Sequence, residues 1–315
     1  HWTPGATNRN RPNSGDFPVM DQTIEESVNR SLHSQLWFRG SWSGVSLGVT
    51  LDRREELDQD VVSELLPKAD VSFSSKPILT ADRNAGALRR LLSEISLGWR
   101  ALAVNDRDTS GDDEEVHQGV GVSMSLRSSI KAFRWINLTP RLNVRADVYD
   151  RARDGTEFPT RLTYDAGLSA GTTVYGTFLP EIGPVRGVRH IVEPSASFSW
   201  TPEFSEYFDE DGTDRFYSFS GFGGTPGARK SLSLSLVNRL QMKLASGDDT
   251  RKLDNLARLS FRSSYDFRRD DERWSDLSSS FELRPGQALS FRWSGRHDPY
   301  DEWSIQNSSL TTTVT

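Results

Sequence analysis

Between Ser231 and Leu244 the chain alternates almost without a break. Leu232, Leu234, Leu236, Leu240, Met242 and Leu244 occupy even positions, and Ser231, Ser233, Ser235, Arg239, Gln241 and Lys243 occupy odd ones. A strand sends successive side chains to opposite faces, so this pattern predicts a strand with one apolar face and one polar or charged face. It outruns the strands of about 5–6 residues usual in globular proteins and reaches the roughly 9–11 that cross a bilayer.

The same alternation recurs along the sequence. Val120, Val122, Met124 and Leu126 share a face, as do Leu138, Leu142, Val144, Ala146 and Val148. Further sets are Leu162 to Val174, Val188 to Trp200, Leu259 to Phe267, and Leu289 to Trp293, with shorter ones at Val45–Leu51, Val71–Phe73 and Ile95–Ala103. Together they predict roughly a dozen strands. Helix signals are confined to short turns at Asp21–Leu32 and Asn84–Leu92, the second capped by Asp82 to Asn84.

From residue 105 onward the connections alternate between long and short. Asn105–Glu115, Arg151–Thr160, Thr201–Arg229, Arg268–Trp274 and Arg296–Glu302 are the long ones, with shorter links between them. Consecutive antiparallel strands put alternate connections on opposite ends, so this order predicts loops at one end and turns at the other. The expected fold is therefore all-β, an antiparallel up-and-down transmembrane β-barrel of which part is seen. Residues 1–30 are expected to form an irregular N-terminal segment and residues 31–315 part of the barrel domain. A soluble β-sandwich also alternates, but its strands are shorter and its loops are not sorted in this way.

Composition excludes other classes. With 38 Lys+Arg against 44 Asp+Glu the net charge is −6, without the basic surplus of a nucleic-acid binder. The absence of Cys removes disulfides, thiolate metal sites and Cys nucleophiles. No apolar run approaches the roughly 20 residues of a membrane helix. The mean hydropathy of −0.58 reads as soluble only because averaging cancels the two faces of each strand. The chain starts at His1 with no apolar leader, which predicts a mature form or an excised fragment.

The polar faces carry the candidate site. Arg141, Arg145, Arg239, Lys243, Arg258, Arg262 and Arg292 are candidates for contact with an anionic lipid, because the guanidinium fork pairs with phosphate and carboxylate. Equally, such charges can neutralise one another across neighbouring strands of a wet lumen. Asp209, Asp211 and Asp214 resemble part of a calcium loop, but the glycine comes too early and no closing glutamate follows, so a solvated acidic turn is expected. His190 and Glu193 stand three apart on a strand and face opposite sides, which argues against a shared metal or acid–base site. The Gly-rich stretch Gly221–Gly227 lacks the context of a phosphate loop and is expected to be a flexible connection. No catalytic constellation and no cofactor site is expected.

Residues 186–204 resemble a signature of the LptD family, the lipopolysaccharide-assembly proteins of the outer membrane. Arg189, His190, Pro194, Phe198, Trp200 and Pro202 carry the resemblance, and Ser231–Lys243, Ser263–Phe267, Trp274–Leu277, Asp298–Tyr300 and Leu66–Phe73 follow the family's later and earlier elements. The resemblance implies a barrel in the outer membrane of a diderm bacterium that passes lipopolysaccharide to the outer leaflet through its lumen and a lateral seam. It implies a lipoprotein plug of LptE type, a periplasmic bridge of LptA type, and contact with membrane lipids but not nucleic acid. Arg189, His190, Pro194 and Pro202 are expected to shape a strand and its exit. The chain departs from the family pattern in lacking a periplasmic jelly-roll, in its strand number and in its lack of Cys, so no gate residues are carried over. Two alternatives stand beside this: a porin-like diffusion channel gated by a loop folded into the lumen, and a soluble carbohydrate-binding β-sandwich.

Overall fold

The computed structural model describes residues 2–6, 31–58, 60–79, 86, 93–180, 182–246, 249–286 and 288–314. Among them it is one antiparallel sheet in which every strand pairs with strands one or two places away in sequence. The strands are β1 (Trp2–Ala6), β2 (Ser31–Trp42), β3 (Val45–Glu56), β4 (Val61–Pro77), β5 (Ile95–Ser110), β6 (Asp113–Ser128), β7 (Ile130–Ala132) and β8 (Ile136–Tyr149). They continue as β9 (Thr160–Gly171), β10 (Val174–Phe178), β11 (Val185–Thr201), β12 (Arg229–Ser246), β13 (Asp249–Asp266), β14 (Leu277–Leu283), β15 (Leu289–His297) and β16 (Ile305–Val314). No second sheet covers this one among the described residues, so the sandwich alternative is set aside. Among the described residues β1 and β16 are not paired with each other, and each borders the sheet on one side.

Among the described residues there are sixteen strands where the alternation predicted about a dozen. β14 escapes the pattern because Ser278, Ser279 and Ser280 hide its parity. β7 and β10 escape because each continues its predecessor after a break. Pro140 on β8 would stand opposite Ser128, and the pairing of β6 with β8 stops at Arg127 and resumes in β7 with the same register. Pro194 on β11 lies where its neighbour changes from β9 to β10. The Thr172 amide donates to the Pro194 carbonyl at 3.2 Å, but proline has no N–H to return the bond. β1 lies inside the segment expected to be irregular, and the helical turn expected at Asn84–Leu92 falls outside the described residues apart from Gly86. The turn expected at Asp21–Leu32 is likewise outside them up to residue 30, and Ser31 and Leu32 belong to β2.

Register joins the apolar positions of successive strands into one face. It runs through Phe38, Val49, Ala69, Ala103, Val120, Val148 and on through Phe198, Leu232, Tyr265 and so to Phe281, Trp293 and Leu310 within the later strands. This face is the uncovered one: Phe38 is 57% exposed, Val120 54% and Leu162 51%. The small buried core of Val104, Tyr149, Phe216 and Phe222 lies on the opposite, polar face. A soluble protein distributes these roles the other way round.

Connections are only partly sorted by length. Residues 150–159, 202–228 and 267–276 form long loops at one end, here the loop end. The long acidic loop expected at Asn105–Glu115 is instead a hairpin closed by Gly111 and Asp112. β5 and β6 remain paired from Asn105 and Gln118 to Ser110 and Asp113, beyond the last apolar pair, Ala103 and Val120. Polar residues on both faces made this stretch look like a loop, although backbone pairing continues through it.

Candidate functional site

The longest connection, between β11 and β12, folds back over the polar face. It reaches Lys68 on β4, five ladder steps from β11, a distance of about 24 Å along a flat sheet. Lys68 Nζ donates to Ser220 Oγ at 3.2 Å, and the Ser220 amide donates to Asp106 Oδ2 at 3.0 Å. Phe222 is fully buried and stacks on Phe219 with ring centroids 4.8 Å apart. Its space is provided by Gly119 and Gly121, which occupy polar-face positions of β6. A Cβ on Gly119 would come within 2.9 Å of the Phe222 ring, and one on Gly121 within 3.3 Å. β4 adds Leu65 to this packing, because an extra residue at Leu66–Pro67 shifts its register and turns Leu65 to the polar face.

Charged groups hold the loop from beneath. Asp147 on β8 is fully buried, and Arg145 Nε donates to both its oxygens at 2.8 Å. Arg161 on β9, with only 3% of its side chain exposed, donates from Nη2 to Asp147 at 3.0 Å. The same two arginines bind the loop backbone: Arg145 Nη2 donates to the Gly221 carbonyl at 2.8 Å and Arg161 Nη2 to the Gly223 carbonyl at 2.9 Å. Arg161 also lies 5.1 Å from the centre of the Tyr149 ring and 5.2 Å from that of Phe216. Within the loop, Asp214 accepts the Phe216 amide at 3.0 Å and both the amide and the hydroxyl of Thr225. Asp214 thus braces a turn, while Asp209 faces Arg215 at 3.8 Å and Asp211 is exposed. The stretch expected to be a flexible connection is an anchored one. The missed signal was paired: aromatics spaced by three at Phe216, Phe219 and Phe222, and glycines at polar positions of β6.

The polar face of β9 to β16 is different in character. Ser169, Ser197, Ser233 and Ser264 form a row across four strands, and Ser260, Ser280, Ser294 and Ser309 form another. Hydroxyls bond along these rows, with Ser169–Ser197 at 2.9 Å and Ser294–Ser309 at 2.7 Å.

All seven candidate cations sit on the polar face, but not in one pocket. Arg145 belongs to the loop anchor. Arg141 donates to Ser199 Oγ at 3.1 Å. Arg239 pairs with Glu193, and Arg292 donates to Glu282 at 2.9 Å. Arg262 stands between Ser235 and Ser278, while Arg258 stands between Arg239 and Glu282. Lys243 stands opposite Lys252. Of the signature residues, Arg189 lies on the polar face 5.7 Å from the Tyr175 ring centre. His190 lies on the apolar face and bonds Asn238 Oδ1 at 3.1 Å, away from Glu193. Pro202 directly follows β11 and starts the inward loop.

No curated protein matches the chain. The family model described as LptD protein matches residues 6–300, which span the whole of this sheet from β2 to β15. The chain belongs to the LptD protein family.

Proposed function

We propose that the chain is part of an outer-membrane β-barrel that moves lipopolysaccharide to the outer leaflet. Membership of a family of lipopolysaccharide transport and assembly proteins supports the substrate and the compartment. The observation that carries the reading is the division of a single sheet into one exposed apolar face and one polar face. Strands so divided suit a bilayer on one side and a wet lumen on the other. Aromatic residues flank the apolar band at both ends, with Trp42, Phe133 and Trp135 at the turn end and Phe158, Trp200 and Trp303 at the loop end. Such girdles sit at membrane interfaces. The loop end then faces outward and the turn end faces the periplasm.

In this reading the chain's part is non-covalent. Arginines and serines of the polar face solvate sugars and phosphates, while acyl chains stay with the apolar face. Closure of the barrel and the lateral seam would involve the strand edges that have no partner among the described residues. A plug of LptE type and a bridge of LptA type are the partners the reading calls for. Photo-crosslinkers at Arg239 or Arg262 in the detergent-solubilised or membrane-inserted protein are expected to capture lipopolysaccharide. A chain that is monodisperse in plain buffer and never enters liposomes sinks the membrane reading.

One observation favours a second reading, a porin-like channel. The connection from Pro202 to Ala228 lies on the polar face, where a channel's gating loop would be. Large, constant conductance in planar bilayers, with no crosslinking to lipopolysaccharide, decides for the channel.

A further inference from the structure

Register places like charges directly opposite each other on β12 and β13. Arg239 faces Arg258, and Lys243 faces Lys252. Like charges at paired positions destabilise a sheet, and the surroundings compensate only in part. Glu193 pairs with Arg239, and Glu282, the other ladder partner of Arg258, is taken by Arg284 and Arg292. Among the described residues Arg258, Lys243 and Lys252 have no ion pair, and all three are exposed. The two pairs are four residues apart along β12, about 14 Å. Between them on the same face stands Gln241, opposite Arg189, and beside Arg258 the serine row begins at Ser260.

We propose that these two cation pairs form one binding site for a saccharide carrying a phosphate at each end. Each phosphate would sit between two cations and relieve their repulsion, and Gln241 and the serine hydroxyls would bond the sugar between. The site lies in the turn-end half of the polar face, away from the inward loop. The inference rests on the transport reading for its direction, since it places the phosphorylated head group of an incoming glycolipid on the periplasmic half of β12 and β13. The site itself follows from the register.

The test is titration calorimetry on the detergent-solubilised chain with an acyl-free, diphosphorylated glucosamine disaccharide and its singly phosphorylated form. The doubly phosphorylated sugar is expected to bind at least tenfold more tightly. Arg258→Gln and Lys252→Gln are each expected to weaken it by about tenfold, with Arg258→Lys restoring most of the loss. Because each Gln variant removes a repulsion, both are expected to melt no lower than the parent. Equal affinity for the two sugars, unchanged affinity in the variants, or a fall in melting temperature in step with the lost affinity overturns the proposal. If the sugar binds as expected but crosslinkers never capture lipopolysaccharide, the site stands and the transport reading falls. Capture of lipopolysaccharide without binding of the sugar overturns the site and leaves transport in place.

Discussion

Asp147 and Arg161 stand directly opposite each other on β8 and β9 and form an ion pair at 3.0 Å, with side chains 0% and 3% exposed. A buried pair of this kind is sustained only if the remaining valences are met. Here Arg145 occupies the carboxylate from the other side, and the arginines donate their outer N–H groups to the loop carbonyls of Gly221 and Gly223, which leaves Arg161 Nε as the one buried donor of the pair without a partner among the described residues. The ladder and the inward loop are therefore joined through one carboxylate.

Asp147→Ala is expected to leave two cations uncompensated under the loop and to destabilise the fold by about 3–5 kcal/mol. Thermal unfolding in detergent measures this. Asp147→Ala combined with Arg161→Met is expected to cost clearly less than the two single changes added together. Strict additivity would mean that the pair does not hold the loop.

Phe222 and the two glycines beneath it make a second, independent anchor. Phe222→Ala is expected to cost about 3–5 kcal/mol. Gly119→Val is expected to expel the ring, since even a Cβ there stands 2.9 Å from it. Both changes act on the loop, so limited proteolysis at the loop end is expected to speed up while β12 and β13 stay protected. Unchanged cleavage of the loop in both variants would show that the ring does not hold it.

Most strands were legible in the sequence because apolar and polar residues alternate along them, and parity was lost only where polar residues fill both faces, as in β14 and the outer half of the β5–β6 hairpin. Leu232 to Leu244 declared its two faces without reference to the rest of the chain. The candidate cations share the polar face for the same reason. Their grouping was not legible. Whether Arg258 meets Glu282 or Arg239 depends on register, which is set by turns and bulges elsewhere, such as the shift between Leu240 and Met242. The loop anchor was illegible for another reason. Arg161 and Gly223 are distant in sequence, and a Gly-rich stretch looks mobile until the glycines and rings of another element are known to receive it.

Acid is expected to loosen the loop. Asp154, in the connection between β8 and β9, accepts hydrogen bonds from Thr156 and an ion pair from Arg215 of the inward loop, with Arg215 Nε at 3.1 Å. These partners, Thr156 foremost, lower its pKa from 3.8 to about 2. A lowered carboxylate pKa contributes stability that is fully present above the unfolded value. That contribution is lost as pH falls from there through the folded value. A fluorophore on Thr213→Cys is thus expected to gain mobility as pH falls from about 4 to about 2. Asp154→Asn is expected to show that mobility already at neutral pH, with a smaller change on acidification. An identical titration in both proteins would remove Asp154 from the account.

Pro194 offers the reverse experiment, a change expected to strengthen the sheet. The Thr172 amide already donates to its carbonyl at 3.2 Å, so the geometry of a paired site exists and only the return donor is missing. β9 and β10 share one register against β11, with Ser195 opposite Gly171 and Val192 opposite Val174. Pro194→Ala supplies an N–H that can reach the Thr172 carbonyl and join the two segments into one strand. The added bond is expected to stabilise the protein by about 0.5–1.5 kcal/mol, offset in part by the freer unfolded chain. Amide exchange at Thr172 and Thr173 is expected to slow, while exchange in the distant pair of β14 and β15 stays the same. If exchange at Thr172 does not slow, proline is not what separates β9 from β10. The break would then have to be traced to Thr172 itself, whose hydroxyl donates to the Trp135 carbonyl at 2.6 Å and pulls the backbone toward the turn end.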